Sequence, residues 1–392
     1  MGEKTGKISP FKSLDALRGL AALWVVMCHA ADHAPPGAHW TNSPLYFFSI
    51  RGQLGVVLFF LISGYCIAGA TYSAFASGKS VWRFGFERIR RIYPPYFFTI
   101  GLTAAFAAVQ LAAERAHWLP LPHHPSQLNG SATFWIANLF LVQVEAGQGF
   151  LNVDFWSLCY EIAFYAIAGA ILLLARQIVR KWGNEAAGMV ICLTFGALTI
   201  ESLVWQIVTG TGGPFPLDLW FQFGLGGLFF VAMEIKNPAL VGFSRKARAL
   251  SIVFLGTSVG LSALFALMRS LGGGSIDHPS SRAQCWAAIL YLGMFWLLRI
   301  SEGRFVHLRG LRPLFWLGSF SYSLYLFHPL FRNAADLLER RVGLADDKFP
   351  IAWALQIIVS VFASWLCFLA VEKHFTSSQQ KRRIANELAE VP

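Results

Sequence analysis

Ten stretches of this chain are apolar for about the length a helix needs to cross a bilayer. A hydrocarbon core of about 30 Å takes about 20 residues of helix, with a range of about 17–25. Segments 14–34, 53–71, 94–113, 153–175, 186–208, 217–235, 249–268, 284–300, 313–331 and 350–371 meet that length. An eleventh patch, 133–144 (TFWIANLFLVQV), falls short of it. In lipid every backbone polar group must be satisfied within the segment, which selects helices here. The expected fold is therefore all-α, a polytopic transmembrane helical bundle of about ten spans.

Charge then gives the bundle a direction. Only 14% of the 392 residues are charged, against about 25% in soluble domains, yet the net charge is +11. That balance excludes an ordinary soluble enzyme. It also argues against a nucleic-acid partner, because no basic stretch stands apart from the apolar segments. Cationic residues favour the cytoplasmic side of membrane proteins. With both termini cytoplasmic, 23 of the 32 Lys and Arg residues fall inside and eight outside, with Arg18 within the first span. This orientation requires the segment near 133–144 to be re-entrant or interfacial rather than a crossing. The chain reads as one membrane domain over 1–375 with a short cytoplasmic tail at 376–392. No cleavable leader is expected. The six cysteines all lie in apolar stretches with no CxxC pair, so neither a disulfide framework nor a zinc site is expected.

Polar residues within apolar spans are costly and mark functional sites. The first span, SLDALRGLAALWVVMCHAADH, puts Asp15, Arg18, His29 and His33 on one stripe at helical spacing. His29 lies about 16 Å beyond Arg18 at about 1.5 Å per residue. The fourth, DFWSLCYEIAFYAIAGA, aligns Asp154, Ser157, Glu161 and Tyr165. The ninth, PLFWLGSFSYSLYLFHPLF, aligns Ser321, Tyr325 and His328, and Arg332 just beyond it. A histidine near a carboxylate suits proton abstraction near neutral pH. Each stripe also fits plain helix-packing polarity, and together they would serve a proton-coupled transporter equally well. His29 and His33 have metal-like spacing, but no third ligand stands on the same element, and no metal is expected. Between the second and third spans, FERIRRIYPPYFF carries Arg88, Arg90 and Arg91 ahead of Pro94 and Pro95. Guanidinium groups there fit phosphate recognition or a simple positive-inside anchor.

Five ordered segments resemble the membrane acyltransferase 3 family, the bacterial integral-membrane O-acyltransferases. They are SLDALRGLAALWVVMCHA with Arg18 and His29, and GVVLFFLISGYCIAG at 55–69. RIRR before YPPY supplies Arg88 and Arg91. FWSLCYEIAFY supplies Trp156, Ser157, Glu161 and Tyr165, and GSFSYSLYLFHP supplies Tyr322 and His328. The resemblance covers about residues 11–372. It implies transfer of an acyl group, acetyl by default, from acyl-CoA as co-substrate to a hydroxyl of a surface carbohydrate or other small acceptor. It implies no further cofactor. His29 would be the base and Glu161 would orient it or the acceptor. Arg88 and Arg91 would hold donor phosphates, with Arg18 positioning the donor. Asp15, Trp156, Ser157, Tyr165, Tyr322 and His328 would support the acceptor or the site. The implied location is the bacterial cytoplasmic (inner) membrane, and the implied form a stand-alone transferase domain. The competing classes are a transporter or exporter of a small polar molecule and a non-catalytic partner in polysaccharide assembly. No inverted repeat is visible to favour transport.

Overall fold

The computed structural model describes residues 11–32, 34, 39–115, 130–209, 213–234, 245–271, 280–341 and 349–375. The tail at 376–392 and His33 lie outside them. The described residues contain helices and no strand. In chain order the helices are α1 (Ser13–Ala31), α2 (Pro44–Ser49), α3 (Leu54–Ala76), α4 (Val81–Arg115), α5 (Ala132–Phe140), α6 (Trp156–Thr209) and α7 (Leu217–Glu234). They continue with α8 (Arg245–Leu271), α9 (Ser280–Ile300), α10 (Glu302–Phe305), α11 (Arg312–Ser319), α12 (Ser321–Arg341), α13 (Phe349–Cys367) and α14 (Lys373–Phe375).

Eight of the described helical segments are long and apolar enough to cross a membrane. Three differ in form from the sequence expectation. Segments 153–175 and 186–208 lie in two helices within α6 that meet at a kink at Gly183, where φ is 84° and ψ 175°, so the connection expected between them is helical up to that kink. The expected segment 313–331 is split into α11 and α12, and α12 runs on to Arg341. At 21 residues α12 is about 31 Å long, enough for the hydrocarbon core. It is less apolar than the eight because polar residues, His328, Arg332, Asn333 and Asp336 among them, occur along its length. The third difference is FERIRRIYPPYFF, expected as a loop and found helical throughout, inside α4. Proline's fixed φ is compatible with a helix, so Pro94 and Pro95 remove two backbone donors without ending it. The short patch behaves as its length dictates. It forms α5, nine residues and about 14 Å long, too short to cross.

The chain divides into two compact units. One comprises residues 1–14, 56–88 and 160–311. Within it α3 and α7 make close backbone contact through small residues: a Cβ on Gly64 would overlap the Phe223 carbonyl, and one on Gly226 the Leu61 carbonyl. Such close approach is how apolar helices pack where lipid removes most of the hydrophobic driving force. Helix α7 is the interior element, buried almost continuously from Trp220 to Ala232. Helices α8 and α9 instead turn apolar side chains outward, with Val253 63% and Leu290 69% exposed. That inversion is what a lipid solvent requires. Deep in this unit Arg299 pairs with Glu234, which also accepts from the Tyr65 hydroxyl at 2.9 Å.

The second unit comprises residues 15–55, 89–159 and 312–392. Helix α1 lies against α11 at two glycines: Gly19 faces the Leu314 carbonyl and Gly318 the Asp15 carbonyl, each too close for a side chain. The C-terminal carbonyls of α1 are taken from outside the helix, Met27 by the Trp353 indole at 3.2 Å and His29 by Arg332 at 2.9 Å. A helix end buried among apolar residues needs such partners. After α5, the chain turns through Leu141 and returns to Asn152. Asn138, fully buried, organises this return. Its side-chain oxygen accepts from the Leu151 N–H at 2.9 Å and from Gln143 at 3.0 Å, and its nitrogen donates to the Gly149 carbonyl at 3.0 Å. The Tyr96 hydroxyl donates to the Asn138 carbonyl at 2.5 Å.

Candidate active site

His29 occupies the last turn of α1, with 27% of its side chain exposed. Its fixed neighbours come from two other parts of the same unit. The chain leaving the Asn138 network forms a 3-10 turn, Val153–Phe155, capped by Asn152, whose side chain accepts from the Asp154 N–H at 3.1 Å. This turn presents Asp154, buried, to His29: Oδ1 lies 3.2 Å from Nε2. The other carboxylate oxygen of Asp154 lies 3.4 Å from Nε2 of His328, which α12 supplies and which is completely buried. The two imidazole rings lie 5.3 Å apart. On its more exposed side His29 faces Asp32, with Oδ2 3.4 Å from Nδ1.

Asp154 is held by its backbone as well. Its carbonyl accepts from the Ser157 hydroxyl at 3.2 Å and the Tyr325 hydroxyl at 3.1 Å, and these two hydroxyls lie 2.6 Å apart. His328 Nδ1 lies 2.8 Å from the Tyr325 carbonyl and 3.1 Å from that of Leu324. Arg332, one turn along α12, completes the enclosure by binding the His29 carbonyl. The three groups His29, Asp154 and His328 have side-chain atoms within 4.8 Å of one another. The N···O distances of 3.2 and 3.4 Å give a histidine–carboxylate cluster, and the same three side chains have the spacing to hold a metal ion.

The remaining predicted residues fall into other groups. Glu161 accepts from Ser63 at 3.2 Å and from Tyr165. Within its own unit, the carboxylates beside His29 are Asp154 and Asp32. Arg18 pairs with Asp15 at 3.1 Å, one turn before it on α1. Arg88 lies over the Phe84 ring, 3.8 Å from its centroid, and donates to the Phe84 carbonyl at 2.7 Å. Arg91 is exposed one turn further along α4. Tyr322 donates to the Ile92 carbonyl at 3.0 Å. Trp156 opens α6 and is partly exposed. Sequence reasoning placed Asp154, Tyr325 and Arg332 on polar stripes but gave none of them a role. The signal was present in the stripes; the partners were not, because Asp154 meets His29 only through tertiary structure.

A carboxylate holding one nitrogen of an imidazole fixes the tautomer and stabilises the imidazolium that forms when the other nitrogen takes a proton. The arrangement is thus competent for general-base chemistry on a hydroxyl at the more exposed face of His29.

A family model described as "Acyltransferase domain" matches residues 11–370. Acyltransferase MdmB of Streptomyces mycarofaciens is 32% identical over 221 residues, covering 53% of this chain and 51% of that protein. Peptidoglycan O-acetyltransferase OatA of Listeria monocytogenes is 23% identical over 357 residues, covering 83% of this chain and 50% of that protein. The chain therefore spans about half the length of each of these two relatives. No solved structure matches.

Proposed function

The chain belongs to the acyltransferase 3 family of integral membrane proteins, and on that premise we propose that it moves an acyl group, acetyl by default, from acyl-CoA to a hydroxyl of a glycan. The single observation that carries the mechanism is the 3.2 Å contact of His29 with buried Asp154. In the proposed step His29 takes the acceptor's hydroxyl proton as that oxygen attacks the thioester carbonyl. The carbon–sulfur bond of the tetrahedral intermediate then breaks, and the CoA thiolate takes the proton back from His29. The ester and free CoA leave, and the enzyme returns to its starting protonation. Transfer from a thioester balances without a redox partner or further cofactor.

Arg88 and Arg91 stand one turn apart on α4, and guanidinium groups suit the phosphates of CoA. Arg18 assists the donor and Glu161, with Ser63 and Tyr165, the acceptor. The positive-inside count supports cytoplasmic termini, a donor supplied from the cytosol and residence in the bacterial inner membrane. The name of OatA, a peptidoglycan O-acetyltransferase, supports a carbohydrate acceptor.

The test is to supply labelled acetyl-CoA to membrane vesicles that contain the protein and its native acceptors. The expected result is protein-dependent transfer of label with release of CoA. His29→Ala removes a general base, which is worth about 10²–10⁴-fold. Flux of a small polar solute with no chemical change would instead indicate a transporter.

A further inference from the structure

Two buried acceptor atoms face one another beside His29. His328 Nδ1 points at two backbone carbonyl oxygens, which can only accept, so this nitrogen carries a hydrogen. In a neutral ring Nε2 is then a bare lone pair. It faces Asp154 Oδ2 at 3.4 Å, and neither atom has a hydrogen-bond partner. Both side chains are more than nine-tenths buried. A lone pair set against a carboxylate oxygen away from water is unfavourable unless positive charge lies between them. Among the described residues, the other charged groups around the pair are His29 and Asp32 at the end of α1, and Arg332 and Asp336 on α12. The Arg332 guanidinium donates to the His29 carbonyl and to Asn333, and not to Asp154 Oδ2.

We propose that Asp154 and His328 hold one proton between them, and that His328 thereby acts as a positioning residue for His29. The inference rests on the acyl-transfer reading for its role, though not for the location of the proton. With Oδ2 tied to His328, the carboxylate keeps Oδ1 toward His29 and accepts from Nε2–H. The basic lone pair of His29 is then on Nδ1, the nitrogen facing Asp32 and the more exposed side. The acceptor hydroxyl displaces Asp32 from Nδ1 and delivers its proton there. Asp154 does not itself become an acid in the cycle; it stays shared between two imidazoles.

The sign of the pH dependence follows. The shared proton is present at low pH and lost as pH rises, after which Asp154 is free to turn from His29. The transfer rate therefore falls on the alkaline side, in addition to an acid limb where His29 is already protonated. His328→Gln places an amide N–H, which does not titrate in this range, where the shared proton lay.

The experiment compares wild type, His328→Gln and His328→Leu in native membrane vesicles, reading incorporation of labelled acetyl from acetyl-CoA against pH. We expect His328→Gln to keep activity within about tenfold and to lose the alkaline limb. We expect His328→Leu to lose about a hundredfold or more in turnover with the KM for acetyl-CoA unchanged, the size typical of a lost general-base contribution. Full activity in His328→Leu, or an alkaline limb that persists in His328→Gln, overturns the proposal. A second measurement does not depend on turnover: ¹⁵N spectra of histidine-labelled protein in nanodiscs, assigned with the His328→Gln variant. A hydrogen at or shared with His328 Nε2 near neutral pH supports the proposal; a bare Nε2 overturns it. A bound divalent cation found at one per chain, with activity lost to chelator, also overturns it. If wild-type vesicles incorporate no label while the Nε2 hydrogen is seen, the functional reading fails and the proton's location stands.

Discussion

Asp154 joins two histidines that come from opposite ends of the chain. Removing its charge while keeping its shape separates orientation from folding. Asp154→Asn can present its amide nitrogen to His29, reversing the hydrogen bond and forcing the wrong tautomer. The corresponding exchange in a serine-protease triad costs about 10⁴-fold in turnover, and a loss of about 10²–10⁴-fold is expected here, with the protein still monodisperse and donor binding retained. Turnover within a few-fold of wild type would exclude the orienting role. Sequence reasoning reached His29 and His328 separately, each from a helical stripe. It could not pair them, because the pairing depends on where the 3-10 turn after Asn152 sets Asp154. That position is fixed by the hydrogen bonds Asn138 accepts from Leu151 and Gln143 and donates to Gly149, none of which leaves a periodic trace in the sequence. The Glu161 stripe was equally legible, while its partner Ser63, 98 residues away in sequence, was not.

At the scale of elements, span length was the most legible property and the joints the least. Helix α5 was anticipated as too short to cross, and it is nine residues long. The continuity of α4 through two prolines, and of α6 through residues 176–182, was not, because charge and proline read as loop in a window of sequence. Gly183 is the residue that resolves the second case. Its φ of 84° is open to glycine and strained for other residues, while a Cβ there would meet nothing within 4 Å. Gly183→Ala therefore isolates backbone strain from packing and should cost about 1–2 kcal/mol, read as a lowered unfolding midpoint with unchanged turnover. Gly318→Ala makes the contrast. A Cβ there would strike the Asp15 carbonyl backbone, so α1 and α11 must separate. The expected loss, about 1–3 kcal/mol for an overpacked contact, should be accompanied by reduced transfer, since α1 carries both Arg18 and His29. Unaltered stability and turnover in Gly318→Ala would contradict the close α1–α11 packing.

For the whole molecule, the basic excess that orients the chain also supplies the cations proposed to meet the donor. Arg88→Ala combined with Arg91→Ala should raise the KM for acetyl-CoA about tenfold or more while turnover at saturation changes little, as expected when uniform binding is removed. A fall in turnover with no change in KM would place these arginines elsewhere in the cycle. Composition and hydropathy made the all-helical membrane architecture legible, because lipid imposes length and polarity rules that few sequences meet by chance. They carry no acceptor identity, since glycan recognition depends on a handful of side chains rather than on a pattern. The central claim is that the protein, with His29 as the base, moves an acyl group to a cell-surface hydroxyl. Mass spectrometry of surface glycans and lipids tests it most directly, in cells making wild-type protein or His29→Ala at equal levels. The account predicts a gain of one acyl group with wild type and none with the variant. The same gain with His29→Ala, or none with either, would contradict it.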